Sequence, residues 1–287
     1  MSALPCLKAT ARVAAEAGQD LCLVEDHKTL GGGARLSQDI EGIAPDAWVA
    51  AEAEAIAQAG GRILTHATAF GIYDHQMVAI IENGPFGTAP RLRRMRAGQI
   101  ILASGALDRP ITFANNDRPG IMSVTGACTY LAQHNVLVGH NIALVSNKSL
   151  AKSAEDMLVK AGAHITHVAP AFGPMKALGG NQLRGLSQNG GTRPVDTILA
   201  SGGQTPLVHL WRHAGGKLNW CEQRQAFLPN SNPMNMVAVG AANGAFDMDH
   251  ALSEARAAVN GEARPKGSDE PPRYHLTPLW PSPGSAG

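Results

Sequence analysis

A short apolar stretch that ends in two acidic residues is the first place where the residue types suggest chemistry. Residues 20–26, DLCLVED, have the pattern of a short buried strand, and Glu25 and Asp26 stand at its end. A carboxylate at the end of such a strand offers two acceptor oxygens to the neighbouring hydroxyls of a ribose. We therefore predict Glu25 as a ribose ligand and Asp26 as the alternative. The competing interpretation is a solvated acid at a strand end.

Three consecutive glycines follow this strand end. Gly31, Gly32 and Gly33 lie six to eight positions beyond Glu25. Because glycine has no Cβ, a pyrophosphate or a flavin can approach its backbone closely. We therefore predict these glycines as cofactor contacts; an ordinary flexible loop is the alternative.

Two further segments combine a buried strand with a small-residue turn. IILASGA (100–106) and TILASGG (197–203) are near-duplicates, and VAVGAANGAF (237–246) adds a third strand that ends in a glycine turn. A helix that begins at such a turn can receive phosphate or flavin oxygens. The remaining predicted cofactor contacts are Thr68, Ser104, Gly105, Gly240 and Ala241.

The elements that must position these residues follow the order of a doubly wound sheet. A helix is predicted over residues 6–18 and a second over 46–61, with the strand 20–26 between them. Residues 62–83 have the pattern of a strand and a hairpin, and 91–106 that of a basic strand followed by a buried one. The order predicts an α/β fold with an antiparallel meander in its crossover.

The second half predicts another nucleotide-binding-like unit. Residues 107–140 connect into it and contain a helix near 123–134, and 140–170 predict a strand, a helix and a strand. The glycine-rich segment 171–193 is only weakly periodic and is predicted to be a loop. Residues 194–206 predict a buried strand, 235–261 a strand and a helix, and 262–287 a linker or tail.

Bulk properties exclude several classes of function. The formal net charge of the 287-residue chain is +1, so neither nucleic acid nor an anionic membrane is an expected partner. No apolar run approaches 18 residues, so no membrane span is predicted, and a cytoplasmic location is expected. The four cysteines have no metal or redox spacing, so no metal site is predicted.

The remaining polar candidates favour structural roles. His134, His209 and His213 show no metal spacing with an acid. No Ser/His/Asp or Cys/His arrangement can be proposed from spacing, so no catalytic residue is predicted. Four arginines between residues 91 and 96 alternate with apolar residues on a short strand, which favours a solvated strand face or a contact with a partner subunit.

Several segments together resemble one family. TAFGIYDH, ASGALDRPITFANNDRPGIM, TYLAQHNV, SGGQTPLVHLWRHAGGKLNW and VGAANGAF are similar to the α subunit of heterotetrameric sarcosine oxidase. Relatives with the same core are subunits of cyanide synthase, opine oxidase and dye-linked proline dehydrogenase. The resemblance runs from about Ala9 to Trp280, which is nearly the whole chain.

The resemblance implies a fold with two dinucleotide-binding domains, of the thioredoxin reductase type. A discontinuous FAD/NAD-binding domain (1–110 and 231–262) is interrupted by a smaller nucleotide-binding-like domain (111–230), and 263–287 form the tail. The implied cofactors are NAD, or FAD, in the first domain and FMN at an interface with a β subunit. The implied partners are a flavin-bearing β subunit and small subunits of a hetero-oligomeric oxidase that acts on CH–NH donors such as sarcosine.

The chain departs from the family pattern at its beginning. Aligning Pro5 with the proline of the family's G-x-G-P-A-G turn places Ser2, Leu4 and Leu7 at the glycine positions, and the first strand is expected to be missing. Leucine side chains there would block a pyrophosphate. The segment 171–193 is shorter than in the family, and the folate-binding domain expected after residue 280 is absent, so the chain resembles a truncated α subunit.

Two functions follow as expectations. The first is a dinucleotide-binding, α-type subunit of a flavin-dependent amine oxidoreductase, in which a partner subunit oxidises sarcosine to an imine. The alternative is a degenerate, non-catalytic fragment or scaffold of the same family, in which cofactor binding is weakened or lost. A disulfide reductase is disfavoured because the chain has no closely spaced cysteine pair.

Overall fold

A computed structural model describes residues 18, 20–37, 39–85, 88–146, 152–168, 174–231 and 233–260. Apart from Gly18, the helix predicted for 6–18 lies outside these ranges. The predicted N-terminal turn and the predicted tail also lie outside them, and so do the residues on which the expected loss of a first strand rests.

The described residues contain eighteen strands and five α-helices. The strands are β1 (Cys22–Val24), β2 (Arg62–Leu64), β3 (Ala67–Tyr73), β4 (Met77–Glu82), β5 (Arg91–Arg96), β6 (Ile100–Leu102), β7 (Ala106–Asp108), β8 (Ile121–Ser123), β9 (Asn141–Ser146), β10 (His164–Val168), β11 (Met175–Gly179), β12 (Leu183–Gln188), β13 (Gly191–Arg193), β14 (Thr197–Ser201), β15 (Gln204–Pro206), β16 (Leu218–Cys221), β17 (Ala226–Pro229) and β18 (Met236–Ala238). The helices are α1 (Pro45–Gln58), α2 (Val124–His134), α3 (Lys152–Lys160), α4 (His209–His213) and α5 (Met248–Asn260).

The chain forms two compact units. Among the described residues, unit 1 contains those up to Ala106, Pro206–Cys221 and those from Ala226 onward, and unit 2 contains Leu107–Thr205 with Glu222–Gln225. The structure thus groups residues 206–221 with unit 1, whereas the sequence-based division placed them in the inserted domain. The assignment of a nucleotide-binding role to either unit stays a prediction.

Unit 1 contains two parallel strand pairs and an antiparallel meander. β1 pairs with β2 and β18 pairs with β6, both in parallel, while β3, β4 and β5 form a three-stranded antiparallel sheet. One core cluster joins α1 to α5 through Trp48 and Leu252 and includes Ala103 and Val239, which follow β6 and β18. The predicted helix over 46–61 and the predicted meander are therefore confirmed.

Local signals explain the bounds of α1. Pro45 stands at the first helical position, where its missing N–H costs no hydrogen bond. The helix stops before Gly60, whose φ of 80° is a left-handed conformation that favours glycine. Trp48, Val49 and Ile56 are buried on its inner face.

Unit 2 is built on a four-stranded parallel sheet in the order β10-β9-β14-β8. The β9–α3–β10 segment is the predicted strand–helix–strand unit over 140–170, and its two strands pair in parallel with Asn141 opposite His164. Central β14 is buried along its whole length. A doubly wound α/β fold is confirmed.

The loop predicted for 171–193 is wrong. β11, β12 and β13 form an antiparallel sheet there. Asn189 and Gly190 make the two-residue connection between β12 and β13 with φ angles of 52° and 77°, the positive values of the turn that Asn-Gly favours in hairpins. The Asn-Gly pair was the available signal, and the glycine content of the segment concealed it.

No helix in the described part of the chain is long and apolar enough to span a membrane. Cys22, Cys128 and Cys221 are free thiols. Burial and the nearby Asp108 carboxylate raise the pKa of Cys128 to about 12.

Candidate functional site

The carboxyl end of β1 places Glu25 and Asp26 on opposite sides of the chain. The Glu25 backbone is held between neighbouring segments, because its N–H donates to the Leu64 carbonyl over 2.8 Å and its carbonyl accepts from the Ala67 N–H over 2.9 Å. Strand alternation then points Leu23 and Glu25 inward. The Glu25 side chain is 1% exposed, whereas that of Asp26 is 59% exposed.

His27 completes a cluster of three titratable groups. Its Nδ1 lies 2.9 Å from Glu25 Oε1 and 2.7 Å from Asp26 Oδ1, and its backbone N–H also donates to Glu25 Oε1. Burial raises the pKa of the Glu25 carboxyl, and the hydrogen bond to Asp26 raises it further. The hydrogen bond from Glu25 lowers the pKa of Asp26. Burial opposes the charged form of His27, but its contacts with both carboxylates raise its pKa overall.

This geometry changes the balance between the two predicted ribose ligands. Both carboxylates contact His27 Nδ1, but the Glu25 side chain is covered, whereas Asp26 exposes its carboxylate to solvent. Asp26 is therefore the carboxylate that an incoming ligand reaches first. Glu25, Asp26 and His27 each offer one possible metal-ligand atom, and these atoms lie within 4.8 Å of one another. In the structure these atoms form hydrogen bonds with each other.

The predicted glycine cluster forms a tight turn. Gly31 has a φ of 128°, and residues Gly32–Leu36 follow it as a short 3-10 helix whose first hydrogen bond joins the Ala34 N–H to the Gly31 carbonyl. A Cβ on residue 31 would lie 2.6 Å from Arg35 Nε. The close approach that Gly31 permits is therefore used by the Arg35 side chain, while Gly32 and Gly33 remain partly exposed.

Arg35 is a charged group at this turn that the sequence analysis missed. Its Nε is buried and lies 3.2 Å from Asp46 Oδ1, close enough for an ion pair but without hydrogen-bond geometry. A buried guanidinium N–H with an unused hydrogen bond beside a glycine turn suits an anionic group. Only the position of Arg35 two residues after the glycines could have indicated it.

Ser104 and Gly105 form hydrogen bonds with Leu207, where the chain re-enters unit 1. The Ser104 hydroxyl donates a short hydrogen bond to the Leu207 carbonyl, and the Leu207 N–H donates to the Gly105 carbonyl over 2.9 Å. Gly105 has a φ of 79° and is buried. Both predicted cofactor contacts thus have structural partners.

The turn at Gly240 is also hydrogen-bonded to a side chain of the protein itself. Gly240 and Ser104 each stand two residues beyond the paired Ala238 and Leu102, at the carboxyl ends of the parallel strands β18 and β6. The Gly240 N–H donates over 2.9 Å to Glu254, a side chain of α5 that is 5% exposed. Asn243 Nδ2 donates to the other carboxylate oxygen over 2.8 Å. A ligand phosphate would meet this anion.

The predicted helix start after this turn is displaced. Residues Gly240–Asn243 form a 3-10 turn, and α5 begins only at Met248. The Asp247 carboxylate accepts from the N–H groups of Asp249 and His250, so this helix start is capped by the chain's own carboxylate. The prediction that this helix start receives a phosphate therefore loses its structural basis.

One core cluster connects the three turns. Ala34 of the glycine turn, Ala103 before Ser104, and Val239 before Gly240 all belong to it, and Leu30 packs against both this cluster and the one that contains Leu23 of β1. The structure therefore gathers the predicted turns around one core. Thr68 is exposed on β3 and Ala241 is partly exposed.

Comparison with known proteins supports the sequence resemblance. No family model matches the chain. Sarcosine oxidase subunits alpha from Corynebacterium sp. strain P-1, Corynebacterium sp. strain U-96 and Rhizobium meliloti strain 1021 are 29%, 28% and 28% identical to it, over 85%, 97% and 96% of the chain. The chain spans 30%, 34% and 32% of these relatives. The predicted resemblance to sarcosine oxidase α subunits is confirmed.

Solved structures show the same fold. L-proline dehydrogenase from P. horikoshii superposes with a TM-score of 0.77 at 19% identity, covering 92% of this chain and 55% of that one. Thioredoxin reductase from Lactococcus lactis gives 0.65 at 15% identity, covering 90% and 95%. The predicted Rossmann-like fold of the thioredoxin reductase type is confirmed.

Proposed function

We propose that this chain is the dinucleotide-binding part of an α-type subunit of a flavin-dependent amine oxidoreductase, with sarcosine as the expected substrate. The observation that carries the proposal is the similarity to three sarcosine oxidase subunits alpha along nearly the whole chain. Amine oxidation is assigned to a flavin-bearing partner subunit. No catalytic residue is assigned to this chain.

The residues of unit 1 fit a dinucleotide at some positions and not at others. Asp26 is exposed, and Gly32, Gly33 and Ala241 are partly exposed. Thr68 is also exposed, but it lies on the face of the meander that carries Ile81 and Leu92. The buried Arg35 Nε has no hydrogen bond and lies beside the glycine turn. These groups supply acceptors for ribose hydroxyls and a cation for a pyrophosphate. Glu25, Gly31 and Gly240 are instead engaged with side chains of the chain itself.

We assign Asp26 as the first ribose acceptor and Arg35 as the pyrophosphate partner, with NAD or FAD as the dinucleotide. Glu25 then positions the Asp26–His27 pair, because it anchors His27 through both its ring and its backbone. A flavin or nicotinamide bound there would supply two-electron redox chemistry. The chain's residues bind and orient that group.

Titration of the purified full chain with NAD, with FAD and with FMN tests this assignment. Replacing Asp26 by alanine removes a charged hydrogen-bond acceptor, which is worth about 1.5–3 kcal/mol, so the Kd of the bound dinucleotide should rise about 10- to 150-fold. The control is Asp20→Ala: Asp20 is an exposed acid before the amino end of β1, opposite to the end where ligands of such sheets bind. Equal Kd values for both variants would reject Asp26 as the ligand.

The oxidase role is tested separately. The chain is co-produced with the flavin-bearing β-type subunit of the same organism, and hydrogen peroxide formation is measured with sarcosine and with other secondary amines. We expect sarcosine to be oxidised by the complex. A stable complex with no amine oxidation would reject the assigned activity.

A non-catalytic scaffold of the same family is the second candidate. The observation that favours it is that three predicted ligand positions, Glu25, Gly31 and Gly240, already have partners within the chain. For FMN at a subunit interface, support comes from the family resemblance alone. A purified chain that binds none of the three cofactors at millimolar concentration, yet still forms the complex, would favour this candidate.

A further inference from the structure

One face of the meander in unit 1 combines apolar side chains with unpaired arginines. The register places Thr68, Ile81 and Leu92 in one row across β3, β4 and β5, and Tyr73, Met77 and Arg96 in another. Side chains opposite each other in antiparallel strands point to the same face. We call the face that carries Tyr73, Met77, Ile81, Leu92, Arg94 and Arg96 the outer face.

The opposite face of the same sheet is the core face. Ile72 belongs to a buried cluster around Trp211, and the partly buried Val78 packs against it. On this side Arg93 donates to Glu82 over 2.7 Å, so its charge is neutralised by a neighbouring strand. The inner side of the meander therefore needs no further partner.

The outer face has apolar groups in solvent. Leu92 is 60% exposed and Tyr73 is 42% exposed, while Met77 and Ile81 are partly exposed. The Tyr73 ring lies over Gly71, where a Cβ would come within 2.7 Å of the ring. This placement spreads an aromatic surface across the sheet. Clustered exposed apolar side chains of this kind mark interaction surfaces.

The charge of the outer face is uncompensated. Arg94 and Arg96 are exposed, and within the described part of the chain neither forms an ion pair. Two arginines among tyrosine, leucine, isoleucine and methionine match a protein surface that offers carboxylates between apolar side chains. A second copy of this chain would oppose arginine to arginine through the same face. The formal net charge of the chain is +1, and the outer face carries two arginines, Arg94 and Arg96. This weak positive charge argues against a nucleic acid as the partner.

We propose that the outer face is the contact surface for the flavin-bearing partner subunit, which presents an acidic and apolar patch to it. This inference rests on the proposed function. One face of a sheet of three strands, each about six residues long, has an area of about 300 Å². This is less than the roughly 800 Å² that each partner contributes to a standard interface. The outer face is therefore the central patch of a larger contact. Leu92 and Arg94 are its energetic centre.

The test compares matched charge reversals on the same strand. Arg94→Glu and Leu92→Glu change the outer face, and Arg91→Glu changes an exposed arginine on the other face with the same change in charge as Arg94→Glu. Each full-length chain is titrated with the β-type subunit of the same organism, and thermal unfolding of each variant alone verifies folding. We expect Kd to rise at least about tenfold for both outer-face variants and to change less than about twofold for Arg91→Glu.

The outcomes separate this inference from the proposed function. A wild-type complex that all three variants form equally well overturns the outer face as the contact and leaves the subunit role standing. Failure of the wild-type chain to bind the β-type subunit overturns both. Binding of a single-stranded RNA oligonucleotide that is lost in Arg94→Glu, while subunit binding is intact, overturns the choice of partner.

Discussion

Removing the Glu254 carboxylate should destabilise unit 1 more than removing any surface charge. Glu254 comes from α5 and is 5% exposed, and it accepts hydrogen bonds from the Gly240 N–H and from Asn243 Nδ2. It thereby joins the helix to the turn after β18. In Glu254→Ala the buried Gly240 N–H and the partly buried Asn243 amide lose their acceptor.

The expected magnitude follows from these two contacts. A hydrogen bond to a charged group contributes about 1.5–3 kcal/mol, and Glu254 accepts two of them. We therefore expect Glu254→Ala to lower the free energy of unfolding by about 3–6 kcal/mol. Glu254→Gln keeps one acceptor oxygen and should cost less than half as much.

Urea unfolding monitored by tryptophan fluorescence measures the effect directly. Trp48 is 3% exposed and packs in the same cluster as Ala251, Leu252 and Ala255 of α5. Its contribution to the emission of the four tryptophans therefore changes when this cluster is lost.

The control lies two residues further along the same helix. Arg256→Ala removes an exposed ion pair with Glu41 at 2.6 Å, and such pairs contribute about 0–1 kcal/mol. The reasoning is refuted if Glu254→Ala unfolds within 1 kcal/mol of the Arg256→Ala variant, because the carboxylate would then not be holding the turn.

Three further predictions concern other parts of the chain. The two carboxylate neighbours of His27 raise its pKa. Its stabilising contribution is therefore complete below its unfolded pKa of about 6.5 and is lost as the pH rises through the folded pKa. In urea titrations, the stability difference between wild type and His27→Gln should shrink between pH 6 and pH 9. Gly190→Ala should cost about 1–2 kcal/mol because φ is +77°, whereas Gly191→Ala, with no contact closer than 3.5 Å, should be nearly neutral in the same measurement. At pH 8 iodoacetamide should alkylate Cys221 before Cys128, whose thiol has a pKa of about 12, and peptide mass spectrometry showing the reverse order would contradict this.

Local patterns were sufficient for much of the fold. Apolar runs and glycine stops predicted α1, the meander and the β9–α3–β10 unit because each depends on contacts within a short segment. The same reasoning failed for β11–β13, where short strands of mixed burial pair through glycine-rich turns. Their pairing is stabilised by neighbouring strands, and weak periodicity in one segment does not contain that information.

The candidate site depends more strongly on tertiary contacts. The sequence identified the acids after β1, the glycine triplet and the turn after β18, because strand ends and glycines are local features. Burial of Glu25 against exposure of Asp26, the Arg35 guanidinium beside Gly31, and the Glu254 carboxylate on the Gly240 N–H all involve side chains that only folding brings together. Local spacing can indicate which backbone segments leave room for a ligand to approach. It cannot indicate which of those hydrogen-bonding groups the protein has already used, because their partners lie on other elements of the fold.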